Sequence, residues 1–218
     1  MRTGSPKHVS HGGSDQWDTA GVLLDESLAA SERPMDFAAM FGNARPVELE
    51  IGCGKGTFIL GRAQARPEVN LLGVEWARAY CHYTADRVRR AGLTNVRMLR
   101  VDAALLVSTL IAPASLSRVH IYFPDPWPKT RHHRRRLIQT PFIARLHDLL
   151  APGGQVLIVT DHLDYFEHIG RVLASARGFV RVAFPQMADN EGELVGTNFE
   201  RKYIAQGRPF YKAALLKY

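Results

Sequence analysis

The stretch Val47-Glu48-Leu49-Glu50-Ile51-Gly52-Cys53-Gly54-Lys55-Gly56 decides the fold. Five residues of strand character run into three glycines at alternate positions, and a helix-length segment follows at 57–66. A strand that gives way to a glycine turn at the head of a helix opens a βαβ unit. Glycines so spaced allow a tight turn and a close approach of backbone to a ligand, next to a helix N-terminus.

Outward from this stretch the same rhythm repeats. Strand-like apolar runs lie at 69–74, 96–101, 118–123 and 155–160, with helix-length segments at 77–91, 103–111, 137–150 and 162–176 between or after them. The turn Pro152-Gly153-Gly154 is expected to end the helix over 137–150. Two further β-rich pieces, 179–184 and 208–217, suit a final pair of strands at a sheet edge, one of them antiparallel. The expected fold is therefore α/β, a doubly wound, mostly parallel sheet of seven strands with one antiparallel strand near an edge. Residues 22–42 carry short apolar groups and predict one or two short helices. Residues 1–20, rich in Gly, Ser, His and Asp, read as a flexible arm, which leaves 21–218 as a single domain.

Composition narrows the partners. The formal net charge is +7, but residues 129–136 hold five Lys/Arg and no acid, so only +2 belongs to the rest of the chain. So local an excess points to an anionic partner at one place. No apolar run reaches the length of a membrane span, and the N-terminus has no apolar signal core, so no membrane partner is expected. Cys53 and Cys81 form neither a disulfide framework nor a metal-ligand pattern, and a reducing cytoplasm is the expected location. Nine histidines invite a metal, yet no pair stands at ligand spacing with a third ligand in view, and none is expected. His120, inside an apolar strand, reads as a satisfied core histidine.

Open parallel sheets bind ligands beyond the carboxyl ends of their strands, where strand order reverses. The first strand ends in Glu50 and the glycines 52, 54 and 56; the second ends in Glu75 and the third in Asp102. Glu75 can accept from the vicinal hydroxyls of a ribose, and Asp102 from an exocyclic amine or ring-edge donor. A dinucleotide fingerprint needs a glycine at 57, where the chain has Thr57, so a nicotinamide enzyme is excluded. The G-x-G-x-G spacing instead resembles motif I of the class I S-adenosylmethionine-dependent methyltransferases, whose Rossmann-like sheet is the fold expected here.

The fourth strand runs into Phe123-Pro124-Asp125-Pro126-Trp127-Pro128-Lys129, followed by His132-His133-Arg134-Arg135-Arg136. Three prolines in five positions forbid helix and make a stiff corner around one carboxylate and one large aromatic ring. This stretch resembles the signature of the tRNA (guanine-N7)-methyltransferases. Thr197-Asn198-Phe199-Glu200-Arg201-Lys202-Tyr203 resembles that family's second signature. The similarity covers residue 46 to the C-terminus but not the arm.

The resemblance implies S-adenosyl-L-methionine as cofactor and N7 of a tRNA guanine as acceptor, the variable-loop guanine at tRNA position 46. Glu50, Gly52, Gly54, Gly56, Glu75, Asp102 and Asp125 are the expected cofactor residues, with Asp125 also catalytic. Lys129, Asp161, Thr197, Asn198, Phe199 and Glu200 are implied substrate contacts. Lys129, Arg131, Arg134, Arg135 and Arg136 would meet phosphates in a sequence-independent, salt-sensitive way. Asp161 also suits a plain helix N-cap, because a helix is expected from about 162. Trp127 suits either stacking on a base or packing under the corner.

The chemistry agrees with this resemblance. Guanine N7 carries a lone pair and no proton, so attack on a sulfonium methyl needs alignment and no general base. The purine product is positively charged, and a carboxylate beside it would stabilise charge that grows during transfer. Two other readings stay open: methyl transfer to another base or position in RNA, and a non-catalytic RNA-binding protein with a vestigial cofactor fold. Oligomeric state is left between monomer and homodimer.

Overall fold

The computed structural model of the chain describes residues 17–187 and 194–218. Most of the expected arm thus lies outside the described residues; where description begins, the Trp17 ring meets Tyr83 edge-on with centroids 5.3 Å apart.

A short helix, α1 (Phe37–Phe41), precedes the alternating part, which runs β1 (Val47–Ile51), α2 (Thr57–Ala65), β2 (Asn70–Val74), α3 (Arg78–Arg90), β3 (Val96–Leu99) and α4 (Ala103–Leu105). It continues through β4 (Leu116–Tyr122), α5 (Thr140–Leu149), β5 (Leu150–Thr160), α6 (Leu163–Ala174), β6 (Phe179–Val182), α7 (Asn198–Ala205) and β7 (Tyr211–Lys217). The seven strands form one sheet in the order β3-β2-β1-β4-β5-β7-β6, with β7 antiparallel to both of its neighbours. Order reverses between β1 and β4, which are parallel neighbours with Ile51 opposite Ile121. That register starts the glycine loop and the proline corner side by side.

Strands β1 and β2 are buried along their whole length, as central parallel strands covered on both faces must be. In β1 this takes Glu48 and Glu50 inside, although the alternation Val-Glu-Leu-Glu-Ile reads as a half-exposed strand. Glu48 is compensated: Arg62 of α2 donates to it from Nε and Nη2 at 2.9 and 2.7 Å, and His120 of β4 meets it at 2.9 Å. Burial alone would raise its pKa, but these partners outweigh that and hold the carboxyl well below the usual range. The other nitrogen of His120 lies 2.7 Å from the Tyr122 hydroxyl, so this core histidine is satisfied on both sides.

Three expectations need correction. The segment 103–111 is a single turn of α-helix followed by a π-helical turn, Leu106–Leu110. The Ser108 and Thr109 hydroxyls both donate to the Leu105 carbonyl and divert it from the regular ladder. Pro152-Gly153-Gly154 does not end the helix: α5 stops at Leu149, and β5 passes through these residues, its pairing shifting register opposite Leu116–Arg118. Finally, α5 starts at Thr140 rather than 137, because residues Thr130–Arg135 wind into a 3-10 turn of their own. Among the described residues no helix is long and apolar enough to cross a membrane.

Candidate active site

Parallel register lines up the carboxyl ends of five strands, and each ends in an acid. Asp102 follows β3, Glu75 follows β2, Glu50 lies in β1, Asp125 follows β4 and Asp161 follows β5. Beside them opens a cavity of about 790 Å³, lined at one end by Glu50, the glycine loop and Phe58, and at the other by Tyr122, Phe123 and the start of α7.

Gly52, Gly54 and Gly56 all take left-handed backbone. At Gly56 a side chain is also sterically barred, since a Cβ would sit 2.4 Å from Cγ2 of Thr84 in α3. This close approach seats the loop against α3, where the Thr84 hydroxyl donates to the Gly54 carbonyl at 2.9 Å. Glu50 stands in the cavity wall, 3% exposed, and its Oε2 has no hydrogen-bond partner. Burial pushes its carboxyl up to about 8, with the Glu75 charge adding to the effect and the Cys53 thiol opposing it. A buried acceptor in a cavity wall without a donor of its own can receive one from a ligand.

Glu75 takes Gly54 N–H on one oxygen at 2.9 Å and Ala77 N–H on the other at 2.8 Å. It thereby ties the glycine loop to the end of β2 and keeps lone pairs for further donors. Asp102 caps α4 through Oδ1, accepting from Ala104 and Leu105 N–H at 2.9 and 3.0 Å. Both acids lie outside the cavity wall, at the partly open end of the row.

On the acceptor side, Asp125 is exposed and stands just beyond Phe123, whose ring lines the cavity while Asp125 does not. The corner holding it is strained at both ends: Phe123 (φ 53°) and Trp127 (φ 43°) are left-handed non-glycine residues. Trp127 is half-buried and packs within the corner, with the Arg135 guanidinium 5.0 Å from its ring and His132 edge-on. Lys129, Arg131 and Arg134 are exposed, as phosphate contacts must be. Arg136 is not. Its side chain is fully buried, donates to the Pro126 carbonyl at 2.9 Å and pairs with Asp164, so the expectation of a phosphate contact there is corrected.

The second signature is also built differently from a row of contacts. Thr197 caps α7, accepting Glu200 N–H at 3.0 Å, and buried Glu200 reaches back to Val195 and Gly196 N–H at 2.9 and 2.7 Å. Asn198 and Phe199 face outward at the cavity mouth. Asp161 is no helix cap, a place taken by His162; it pairs with Arg208 at 2.7 Å. The cavity also gathers Tyr80, Tyr83 and Arg87 of α3, which no motif in the sequence marks. Only tertiary packing brings them there. For α7 a signal did exist, the capping-box pattern Thr197-x-x-Glu200. Among the described residues no group of His, Cys, Asp or Glu is placed to hold a metal ion.

A glycine loop, an orphan buried acid and a row of carboxylates at the reversal point of this sheet define a class I methyltransferase, the class that uses S-adenosyl-L-methionine. Among solved structures, the 16S rRNA methyltransferase KamB superposes with a TM-score of 0.59 at 15% identity, over 85% of this chain and 94% of that one. An antibiotic-related methyltransferase gives 0.58 at 16%, over 86% and 96%. At such identities the likeness is one of fold. A family model described as "Putative methyltransferase" matches residues 44–213. The tRNA (guanine-N(7)-)-methyltransferases of Syntrophotalea carbinolica and Myxococcus xanthus are each 39% identical over 190 residues, 87% of this chain and 80% and 92% of theirs. The chain belongs to the tRNA (guanine-N7)-methyltransferase family.

Proposed function

We propose that this enzyme transfers the methyl group of S-adenosyl-L-methionine to N7 of guanine in tRNA, at the variable-loop guanine, position 46. One observation carries the proposal: parallel register sets the glycine loop and Glu50, with its unpartnered Oε2, beside the strained corner that bears Asp125, whose Phe123 lines the same cavity.

The residues present fit the cofactor. Glu50 offers an unpaired buried oxygen to its ammonium, Gly52, Gly54 and Gly56 offer backbone, Glu75 the remaining lone pairs for ribose hydroxyls, and Asp102 its free Oδ2 for a base edge. The cofactor supplies an electrophilic methyl on a sulfonium. The protein's own part is alignment and charge. Phe123, Asn198 and Phe199 frame the cavity mouth, where a flat base would be oriented for in-line approach. Asp125, without a hydrogen bond or ion pair among the described residues, is available to the guanine edge and to the positive charge that develops on the ring. Lys129, Arg131 and Arg134 are exposed cations of the corner and would meet tRNA phosphates. A tRNA substrate implies a cytoplasmic enzyme, working as monomer or homodimer; light scattering on the purified protein decides between those two states.

Incubation with labelled cofactor and total RNA, followed by nucleotide-resolution mapping, tests the proposal. Label in 7-methylguanine of the tRNA variable loop is expected. Label in another RNA or at another base would move the acceptor, and absence of saturable cofactor binding would remove the enzyme altogether.

A further inference from the structure

Arg136 closes the basic tract, and its sequence neighbours are exposed cations. Its own surroundings are unlike theirs. The guanidinium is withdrawn from solvent and stacks 4.9 Å above the Tyr165 ring of α6. Its Nε donates to the carbonyl of Pro126, the residue directly after Asp125. Nη2 meets His133 at 3.0 Å and pairs with Asp164, also on α6. The backbone around it is fastened as well, because Gln139 donates to the carbonyls of both His133 and Arg136, and Ile138 N–H donates to the Tyr165 hydroxyl.

The corner thus held is one that would not rest in this shape unaided. Phe123 and Trp127, on either side of Asp125, occupy backbone that bulky residues avoid, and such conformations persist only where the surroundings over-determine them. Prolines at 124, 126 and 128 remove three amide donors from the corner, which raises the share of its fastening that falls to carbonyls such as that of Pro126. Arg136 takes one of them and ties it to α6.

We propose that Arg136 is a positioning residue for methyl transfer: it pins the Asp125 corner to α6 and acts through that corner, with no phosphate contact of its own. The inference rests on the assignment of Asp125 to the acceptor side. Arg136→Lys separates a clamp from a charge. Lysine keeps the charge that a phosphate needs but loses the planar fork that stacks on Tyr165 while bonding Pro126, His133 and Asp164.

The experiment compares wild type, Arg136→Lys and Arg134→Ala in single-turnover transfer at saturating tRNA and cofactor. Alongside it run tRNA affinity against salt, cofactor affinity and melting temperature. For Arg136→Lys the saturated rate is expected to fall on the order of ten- to a hundredfold, the penalty of a misplaced reacting group. Its cofactor affinity and salt slope should match wild type, whereas Arg134→Ala should lower the salt slope. A lysine variant that keeps the wild-type rate overturns the proposal, as does one whose only defect is weaker, less salt-dependent tRNA binding. A fall in rate that merely follows loss of folded protein also overturns it. Wild type run in parallel keeps the two levels apart. A wild type that leaves tRNA unmethylated removes the functional assignment itself, whereas an active wild type matched by the lysine variant removes only the clamp.

Discussion

Glu50 shows at the scale of a single side chain how burial prepares a site. Its carboxyl is pushed up to about 8 in the folded chain, above the ordinary glutamate value. The sign follows directly. As pH rises from about 4.5 to 8, the unfolded chain gives up this proton first, so Glu50 lowers stability progressively over that window. Glu50→Gln removes the cost: its melting temperature should match wild type near pH 4.5 and exceed it increasingly up to pH 8. A constant difference across that range would contradict the assignment. Asp125 lies at the other extreme, exposed and unpaired. Asp125→Asn is expected to reduce the saturated transfer rate about a hundredfold and to leave cofactor affinity nearly unchanged; equal losses in both would make it a cofactor ligand. Both acids were legible in the sequence because Glu50 directly precedes a glycine turn and Asp125 sits within a proline run. The burial of Arg136 was not, since nothing local distinguishes the third of three consecutive arginines until Tyr165 and Asp164 are folded over it.

Among elements, the two signatures make different use of their residues. The Thr197–Glu200 segment is first a helix start, with Glu200 holding the loop ahead of α7 by its amides. Glu200→Ala leaves those buried donors unpaired and should cost about 1–3 kcal/mol, read as a lower urea midpoint. Lost transfer at unchanged stability would instead make Glu200 a substrate contact. The 3-10 turn at Thr130–Arg135 sends its cations in two directions. Arg135 covers Trp127, while Arg131 and Arg134 project outward. Replacing Arg131 and Arg134 by Ala should lower the salt slope of tRNA binding by about one per residue, and an unaltered slope would take them out of the interface. Most strands and helices were readable from apolar runs and breakers. The π-helical turn was hidden, because hydroxyl competition for one carbonyl leaves no trace in hydrophobic period. The passage of β5 through Pro152-Gly153-Gly154 escaped for a related reason, as a proline-glycine cluster reads as a stop until a neighbouring strand pairs with it.

Over the whole molecule, the sheet depends on where β7 lies, between β5 and β6. Removing residues 207–218 would strip β5 of one neighbour and β6 of the only one it has among the described residues. Cooperative thermal unfolding should be lost in such a truncation; a sharp transition would show the sheet closing without β7. That an antiparallel strand belongs near the edge was visible in the sequence. Its place inside the order was not, since apolar patterning reports that a strand is buried and leaves open which two strands bury it.

The same arrangement sets a schedule for the protein's birth. Ribosomes deliver β6 before the strand that joins it to the sheet, so the growing polypeptide must hold a loose ribbon in waiting while α7 emerges and settles at the mouth of the cavity. When β7 docks, it pairs with β5 on one side and gathers β6 into the sheet on the other. An enzyme made in this order has its glycine loop and proline corner synthesised well before α7, whose first residues complete the cavity wall.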